Sequence, residues 1–152
     1  MSITIHFGGQ LESLKDLDAL LSFTTYYAEE HDWSFSALKE DSQTQLQPWE
    51  KGISLQANPE IEPLHIYFDD CLTLSTFCKT QFGGVEAHLE IIAFLHAIED
   101  FFQDFWVEDE GDYWKTNDQL LLKSKIDFVA QILDDIDKSI KEQKEENKWK
   151  YN

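Results

Sequence analysis

Residues 85–103 constrain the fold more than any other part of the chain, because no glycine or proline interrupts them. At 100° per residue, the polar and small side chains fall on one narrow face, which consists of Glu86, Glu90, Ala93, Ala97 and Asp100. Most of the remaining circumference is apolar, and a helix of this kind is packed on several sides. We therefore predict a central helix over residues 85–103, preceded by a break at Gly83 and Gly84.

Strands are predicted where β-branched and aromatic residues cluster or alternate between turn signals. Residues 2–7 form the first of them, and Gly8 with Gly9 is expected to end it. The others are residues 33–39, 52–57, 64–68, 72–77 and 104–108. The polar residues 40–51 include Pro48 and are predicted to form a loop.

Two further helices are predicted over residues 10–31 and 117–146, where apolar residues recur at helical spacing. The second has the more regular pattern, a seam spaced alternately by four and three: Leu122, Ile126, Val129, Leu133, Ile136 and Ile140. Residues 116–119 have the form of a capping box, so we expect this helix to start near Asn117. Residues 147–152 are predicted to be a frayed, solvated tail.

These elements predict a single α+β domain over residues 1–146. An antiparallel or mixed sheet of about five or six strands would pack with three helices. The chain has 152 residues and a hydrophobic fraction of 42%, which together allow one sizeable core. The hydrophobic fraction also excludes the class of disordered chains, in spite of the high charge.

The charge of the chain restricts its partners. The formal net charge is −18, and all twelve positive residues are lysines. Arginine is the preferred residue for bidentate contacts to phosphate and to base edges, so its absence argues against nucleic acid and nucleotides. Anionic membranes are disfavoured by the same field, and a basic protein is the favoured partner.

The N-terminus has no basic segment followed by an apolar core, so we expect no secretory signal. We also expect no membrane span, because no run approaches about 20 apolar residues. Its two cysteines, Cys71 and Cys78, are interpreted as reduced packing residues. We therefore predict a cytoplasmic protein.

An acidic aromatic segment lies between Glu99 and Asp118, where eight acids stand against the single lysine Lys115. Aromatic side chains supply contact area, and acids around them steer a basic partner. The predicted contact surface consists of Trp106, Glu108, Asp109, Glu110, Asp112, Tyr113 and Trp114. The alternative interpretation is a solvated turn whose Tyr113 and Trp114 fold back onto the core.

The run Asp109-Glu110-Gly111-Asp112-Tyr113-Trp114-Lys115-Thr116 follows a helix that begins after residues 79–84. This arrangement resembles a pattern in small uncharacterised bacterial proteins. The general character of the chain is also similar to that of immunity proteins, which neutralise a toxin. The resemblance implies a protein-binding role and carries no catalytic residue over.

The leading hypothesis is therefore a non-enzymatic binding module, an immunity-type inhibitor of a basic protein. A rival hypothesis is a small metal-assisted hydrolase that uses His88, His96 and Glu99 with the acidic segment. The chain has no HExxH, clustered CxxC, EF-hand or GxSxG spacing, so we assign no catalytic residue, metal or cofactor. The third hypothesis is a self-associating structural protein that pairs through the seam of the last helix or through an exposed strand edge.

Overall fold

The computed structural model describes residues 2–39 and 50–150. Strands and helices mix along the chain in the manner of an α+β fold, which confirms the predicted class. The elements are β1 (Thr4–Gln10), α1 (Leu14–Glu30), β2 (Ser34–Lys39), β3 (Glu50–Gln56), β4 (Leu64–Tyr67), β5 (Thr73–Lys79), α2 (Gly84–Ile98), β6 (Trp106–Asp109), α3 (Tyr113–Thr116) and α4 (Gln119–Lys150). Short 3-10 turns at Gln81–Gly83 and Glu99–Phe101 flank α2.

The six strands of the described residues form two three-stranded sheets, β5-β1-β6 and β2-β3-β4, in which all neighbours are antiparallel. The prediction of one sheet of five or six strands was therefore wrong in this detail. The two sheets meet beside β4 and β5, where the hydroxyl of Thr76 donates to the carbonyl of His65 at 3.0 Å. The two sheets are thus linked here by a hydrogen bond from a side chain. A single continuous sheet would need backbone hydrogen bonds between β4 and β5 at this place.

The strand β1 runs through Gly8 and Gly9, so the prediction that these glycines end it was wrong. At Gly8 an added Cβ would overlap the carbonyl oxygen of Leu74 and lie 2.9 Å from the Trp106 ring. At Gly9 it would lie 2.7 Å from the ring of Phe102. β1 is the middle strand of its sheet, and these two glycines allow neighbouring backbone and side-chain atoms to lie close to it.

The central helix α2 lies in the main core, as its composition predicts. Its buried residues are Ala87, His88, Ile91, Ile92, Phe94, Leu95 and Ile98, while Glu86, Glu90 and Ala93 face solvent. The helix ends at Ile98, earlier than expected, because the chain tightens into the following 3-10 turn. Buried side chains from both sheets and from α1 complete this core.

The last helix α4 packs on a second, smaller cluster through its first half. That cluster consists of Ile3, Leu122, Ile126 and Val129. The cap is Asp118, whose carboxylate accepts from the amide of Leu121 at 3.0 Å. The helix starts two residues later than predicted and continues to Lys150, beyond the expected end at residue 146.

The loop predicted over residues 40–51 falls mostly outside the described residues, since only residues 50 and 51 are described and both belong to β3. The short helix α3 consists of a single turn and was not predicted from the sequence pattern. In the described part of the chain, none of the helices combines the length and the apolar character needed to cross a bilayer.

We predict that Gly8→Ala lowers the free energy of unfolding by about 2–4 kcal/mol, because its Cβ must displace the Leu74 carbonyl and the Trp106 ring. The control is Ser75→Ala, which changes the residue paired directly with Gly8 in β5 without adding an atom. That control should change stability by less than about 0.5 kcal/mol. Urea denaturation followed by circular dichroism measures both, and equal stabilities would contradict the crowding at Gly8.

Candidate functional site

The acidic aromatic segment is divided into two sides by the alternation of β6. Trp106 and Glu108 face solvent, whereas Val107 and Asp109 face the protein. Successive side chains of a strand point to opposite faces, so this division follows from the strand itself. The seven residues of the predicted contact surface therefore do not share one environment.

The side chain of Asp109 lies inside, where it is only 2% exposed. Its Oδ1 accepts from the amide of Gly111 at 2.8 Å, and its Oδ2 accepts from the amide of Trp114 at 2.9 Å. The same carboxylate lies 3.0 Å from Nε2 of His88. Asp109 consequently closes the turn after β6 and holds the start of α3, and it does not contribute to an outward surface.

His88 is fully buried and connects this turn to the chain start. Its Nδ1 lies 2.6 Å from the hydroxyl of Thr80, and the amide of Thr80 donates to the carbonyl of Ile3 at 3.0 Å. Its Nε2 faces Asp109 closely but without the alignment of a good hydrogen bond. An added Cβ at Gly111 would lie 2.6 Å from Cδ1 of Leu122 and 3.0 Å from the His88 ring, so the glycine leaves room for this approach.

The surroundings of Asp109 act on its pKa in opposite directions. Burial raises the pKa, but the close approach of the His88 imidazole and the hydrogen bonds from the amides of Trp114 and Gly111 lower it by more. The net result is a lowered pKa, so the carboxylate is ionised throughout the neutral range. A charge held in this way is a structural anchor for the turn.

Thr80, His88 and Asp109 form a hydroxyl–imidazole–carboxylate chain, the order that also occurs in nucleophilic active sites. All three side chains are closed off from solvent, and no substrate can reach the hydroxyl without an opening of the fold. The arrangement therefore fixes four segments to one another: the chain start, the end of β5, α2 and the turn after β6. The sequence analysis grouped His88 with the acidic segment that contains Asp109, but it assigned Asp109 to the contact surface and gave no signal for Thr80.

The other residues of the hydrolase hypothesis lie elsewhere. His96 is exposed, its Nδ1 lies 3.3 Å from Oε1 of Glu99, and its ring stacks on Trp114 at 4.0 Å between centroids. Eight residues of α2 separate His88 from His96, which amounts to roughly 12 Å along the helix axis. Within residues 2–39 and 50–150, no three His, Cys, Asp or Glu side chains are grouped so that they could hold a metal ion.

The cysteines show no activated thiol. Cys71 is exposed and Cys78 is buried, and both are free. Burial, with the charge of Glu62 adding to it, raises the pKa of Cys78 to about 12. The Cys78 thiol is therefore protonated and unreactive at neutral pH.

The outward side of the sheet β5-β1-β6 carries an aromatic surface, which we call the Trp106 face. It consists of His6, Phe77, Trp106, Glu108 and Glu110. In the sheet register His6 pairs with Phe77 on one side and with Glu108 on the other, while Gly8 pairs with Trp106. Phe77 is 53% exposed and Trp106 41% exposed, which are large fractions for aromatic residues within strands. The sequence did not predict the contribution of Phe77 and His6, since it depends on the pairing of strands about 70 residues apart.

The contacts within the Trp106 face link its rings to its acids. The rings of His6 and Phe77 lie 6.1 Å apart between centroids. Nε2 of His6 lies 3.5 Å from Oε1 of Glu110. His6 also pairs directly with Glu108 of β6 in the sheet register. Acids thus surround the aromatic groups on the β6 side of the face.

The remaining predicted contact residues are only partly available. Asp112 is half-exposed and forms an ion pair with Lys125. Tyr113 and Trp114 are half-buried and pack against the core, as in the alternative interpretation of the segment. A shallow depression of ≈ 240 Å³ lies on the other sheet among Ser34, Phe35, Ser36, Ser54, Gln56 and Pro63, and it includes none of the predicted site residues.

Comparison of the chain with protein-family models, with curated proteins and with solved structures finds no match. The function is therefore inferred from the residues and geometry of this chain.

We predict that Asp109→Asn lowers the free energy of unfolding by about 3 kcal/mol at neutral pH, because it removes a buried, hydrogen-bonded charge beside His88. A carboxyl with a lowered pKa stabilises the fold above its unfolded pKa, and this contribution is lost as the pH falls through the folded pKa. The difference between the two proteins should thus be constant near neutrality and shrink below the ordinary value of 3.8. Denaturant titrations from pH 7 to pH 3 measure it.

The control for this experiment is Glu108→Gln, which changes the neighbouring acid on the exposed side of β6. That variant should show a small difference at every pH. A constant penalty for Asp109→Asn down to the lowest pH would contradict the ionised, low-pKa carboxylate.

Proposed function

We propose that this chain is a non-enzymatic protein-binding module that captures a basic protein through the Trp106 face. The observation that carries the proposal is the exposure of Phe77 and Trp106 on one sheet surface, beside Glu108 and Glu110. Large aromatic side chains are the usual anchors of protein interfaces, and they contribute most when a polar rim surrounds them.

The charge supports a basic partner. The chain has a formal net charge of −18 and contains no arginine. The field of such a molecule accelerates the approach of a positive protein and repels an acidic one. Glu108 and Glu110 lie on the same face as the exposed rings, so they would guide the last stage of docking.

The rigidity of the face supports tight binding. Trp106 and Glu108 lie on a strand whose end is fixed by the buried carboxylate of Asp109. Gly8 leaves room for the Trp106 ring against β1. A surface that is ordered before binding loses less conformational entropy on association.

We further propose the immunity-type role, in which the bound protein is a basic toxin enzyme that the chain inhibits. The resemblance of residues 109–116 and the general acidic character support this role. We also propose a cytoplasmic location, in agreement with the free thiols of Cys71 and Cys78.

We predict that the double variant Phe77→Ala and Trp106→Ala weakens binding to the partner by about 100-fold, since two interface anchors are removed. The partner is first isolated on the immobilised native chain at low salt from extracts of the source cells, and its affinity is then measured by calorimetry. The matched control is Tyr26→Ala, which removes an aromatic residue that is similarly exposed on α1. The proposal would be contradicted if the double variant and the Tyr26→Ala control lost the same affinity, or if the native chain retained no basic protein.

We predict that Glu108→Lys with Glu110→Lys lowers the association rate by about tenfold at low salt and has a smaller effect at high salt, because screening removes the steering field. The control is Glu29→Lys with Glu30→Lys, which makes the same change in net charge on α1. Stopped-flow mixing measures the rates. If both pairs of reversals act equally, the net charge and not the Trp106 face directs the encounter.

A further inference from the structure

The second half of α4 exposes a line of apolar side chains. Phe128 is 60% exposed, Ile136 51% and Ile140 47%, and the half-buried Ile132 lies between them. These four residues follow one another at intervals of four, so they form a continuous ridge on the helix. We call them the α4 ridge.

The ridge lies where the helix leaves the body of the protein. The seam that packs on the second core is buried at Leu122, Ile126 and Val129. The same seam reaches solvent at Ile136 and Ile140, although the helix continues to Lys150. Apolar residues that recur along a solvated helix cost solubility without adding to the packing of this core.

The charges beside the ridge differ from those of the rest of the chain. Asp134, Asp135 and Asp137 lie at its middle. The last ten residues of α4, 141–150, carry four lysines against three glutamates in a chain whose net charge is −18. The aspartates of α4 therefore cluster in the middle of the helix, and lysines slightly outnumber acids over its last ten residues.

From this distribution we propose that a second copy of this chain covers the α4 ridge in an antiparallel helix pair. An antiparallel pair brings lysines from the end of each helix close to aspartates of the other helix. It also places the two acidic bodies at opposite ends of the contact, where their repulsion is smallest.

The positions of the residues set the register of the pair. If the two-fold axis passes beside Lys138, Ile136 of one copy packs against Ile140 of the other. The same register puts Lys141 level with Asp135, and Lys148 level with Phe128 and next to Asp127. The stem of Lys148 then covers the Phe128 ring while its ammonium remains near a carboxylate. The two-fold symmetry makes each of these contacts occur twice.

The pair overlaps over residues 128–148 of each copy, which corresponds to roughly 30 Å of helix. One helix pair lies at the lower end of the sizes of specific interfaces, so the dimer is weak, with a Kd of the order of micromolar. The Trp106 face lies on the sheet β5-β1-β6 and not on α4, and this proposal does not depend on the proposed function.

Sedimentation velocity of the full chain over a concentration series tests the association. The mass should rise from monomer to dimer through the micromolar range. Ile136→Gln with Ile140→Gln should raise the Kd by about tenfold or more, since four apolar side chains leave the contact. Leu120→Gln is the matched control, because Leu120 is also exposed on α4 but lies about 160° around the helix from Ile140.

The orientation is tested with spin labels on Lys148→Cys in a Cys71→Ser background, where Cys78 stays buried and unlabelled. The antiparallel pair predicts about 30 Å between the two labelled positions, whereas a parallel pair predicts about 10 Å. The proposal is overturned by a constant monomer mass, by a dimer that survives the double isoleucine variant, or by the short distance. It is equally overturned if a different protein, and not a second copy, binds the ridge and is lost with the same variant.

Discussion

The contact between the buried carboxylate of Asp109 and the imidazole of His88 is the interaction on which the rest of this structure depends. It joins the turn after β6 to the central helix α2, and through Thr80 it reaches the chain start at Ile3. Because Asp109 must face inward to make it, the alternation of the strand turns Trp106 and Glu108 outward. One internal charge thus determines which neighbouring side chains are available to a partner.

The middle strand β1 provides the second condition for the exposed face. Gly8 leaves room for the Leu74 carbonyl and for the Trp106 ring, and Gly9 leaves room for the Phe102 ring. The tryptophan can therefore lie against the sheet without a side chain beneath it. Exposed aromatic side chains on an ordered sheet agree with the proposed role in capturing another protein.

The sequence predicts well those features that depend on local periodicity. The exposed line of Glu86, Glu90 and Ala93 on α2 and the buried first half of the α4 seam follow from the 3.6-residue repeat. Strand existence was also readable, since every predicted strand has a counterpart in the fold. Features that depend on distant pairings were not readable. The partnership of His6 with Phe77, the inward role of Asp109 and the division into two sheets require knowledge of which strands meet.

The acidic aromatic segment therefore combines two roles that composition alone cannot separate. Asp109 stabilises the fold, while Glu108 and Glu110 remain at the surface beside the exposed rings. The most direct measurement of this division is an NMR titration of the Asp109 side-chain carboxyl carbon in the native protein. We expect its midpoint to lie below the ordinary value of 3.8. A midpoint at or above that value would show that the carboxylate is not held by His88 and the turn amides, and it would contradict the inward anchor on which the exposed face depends.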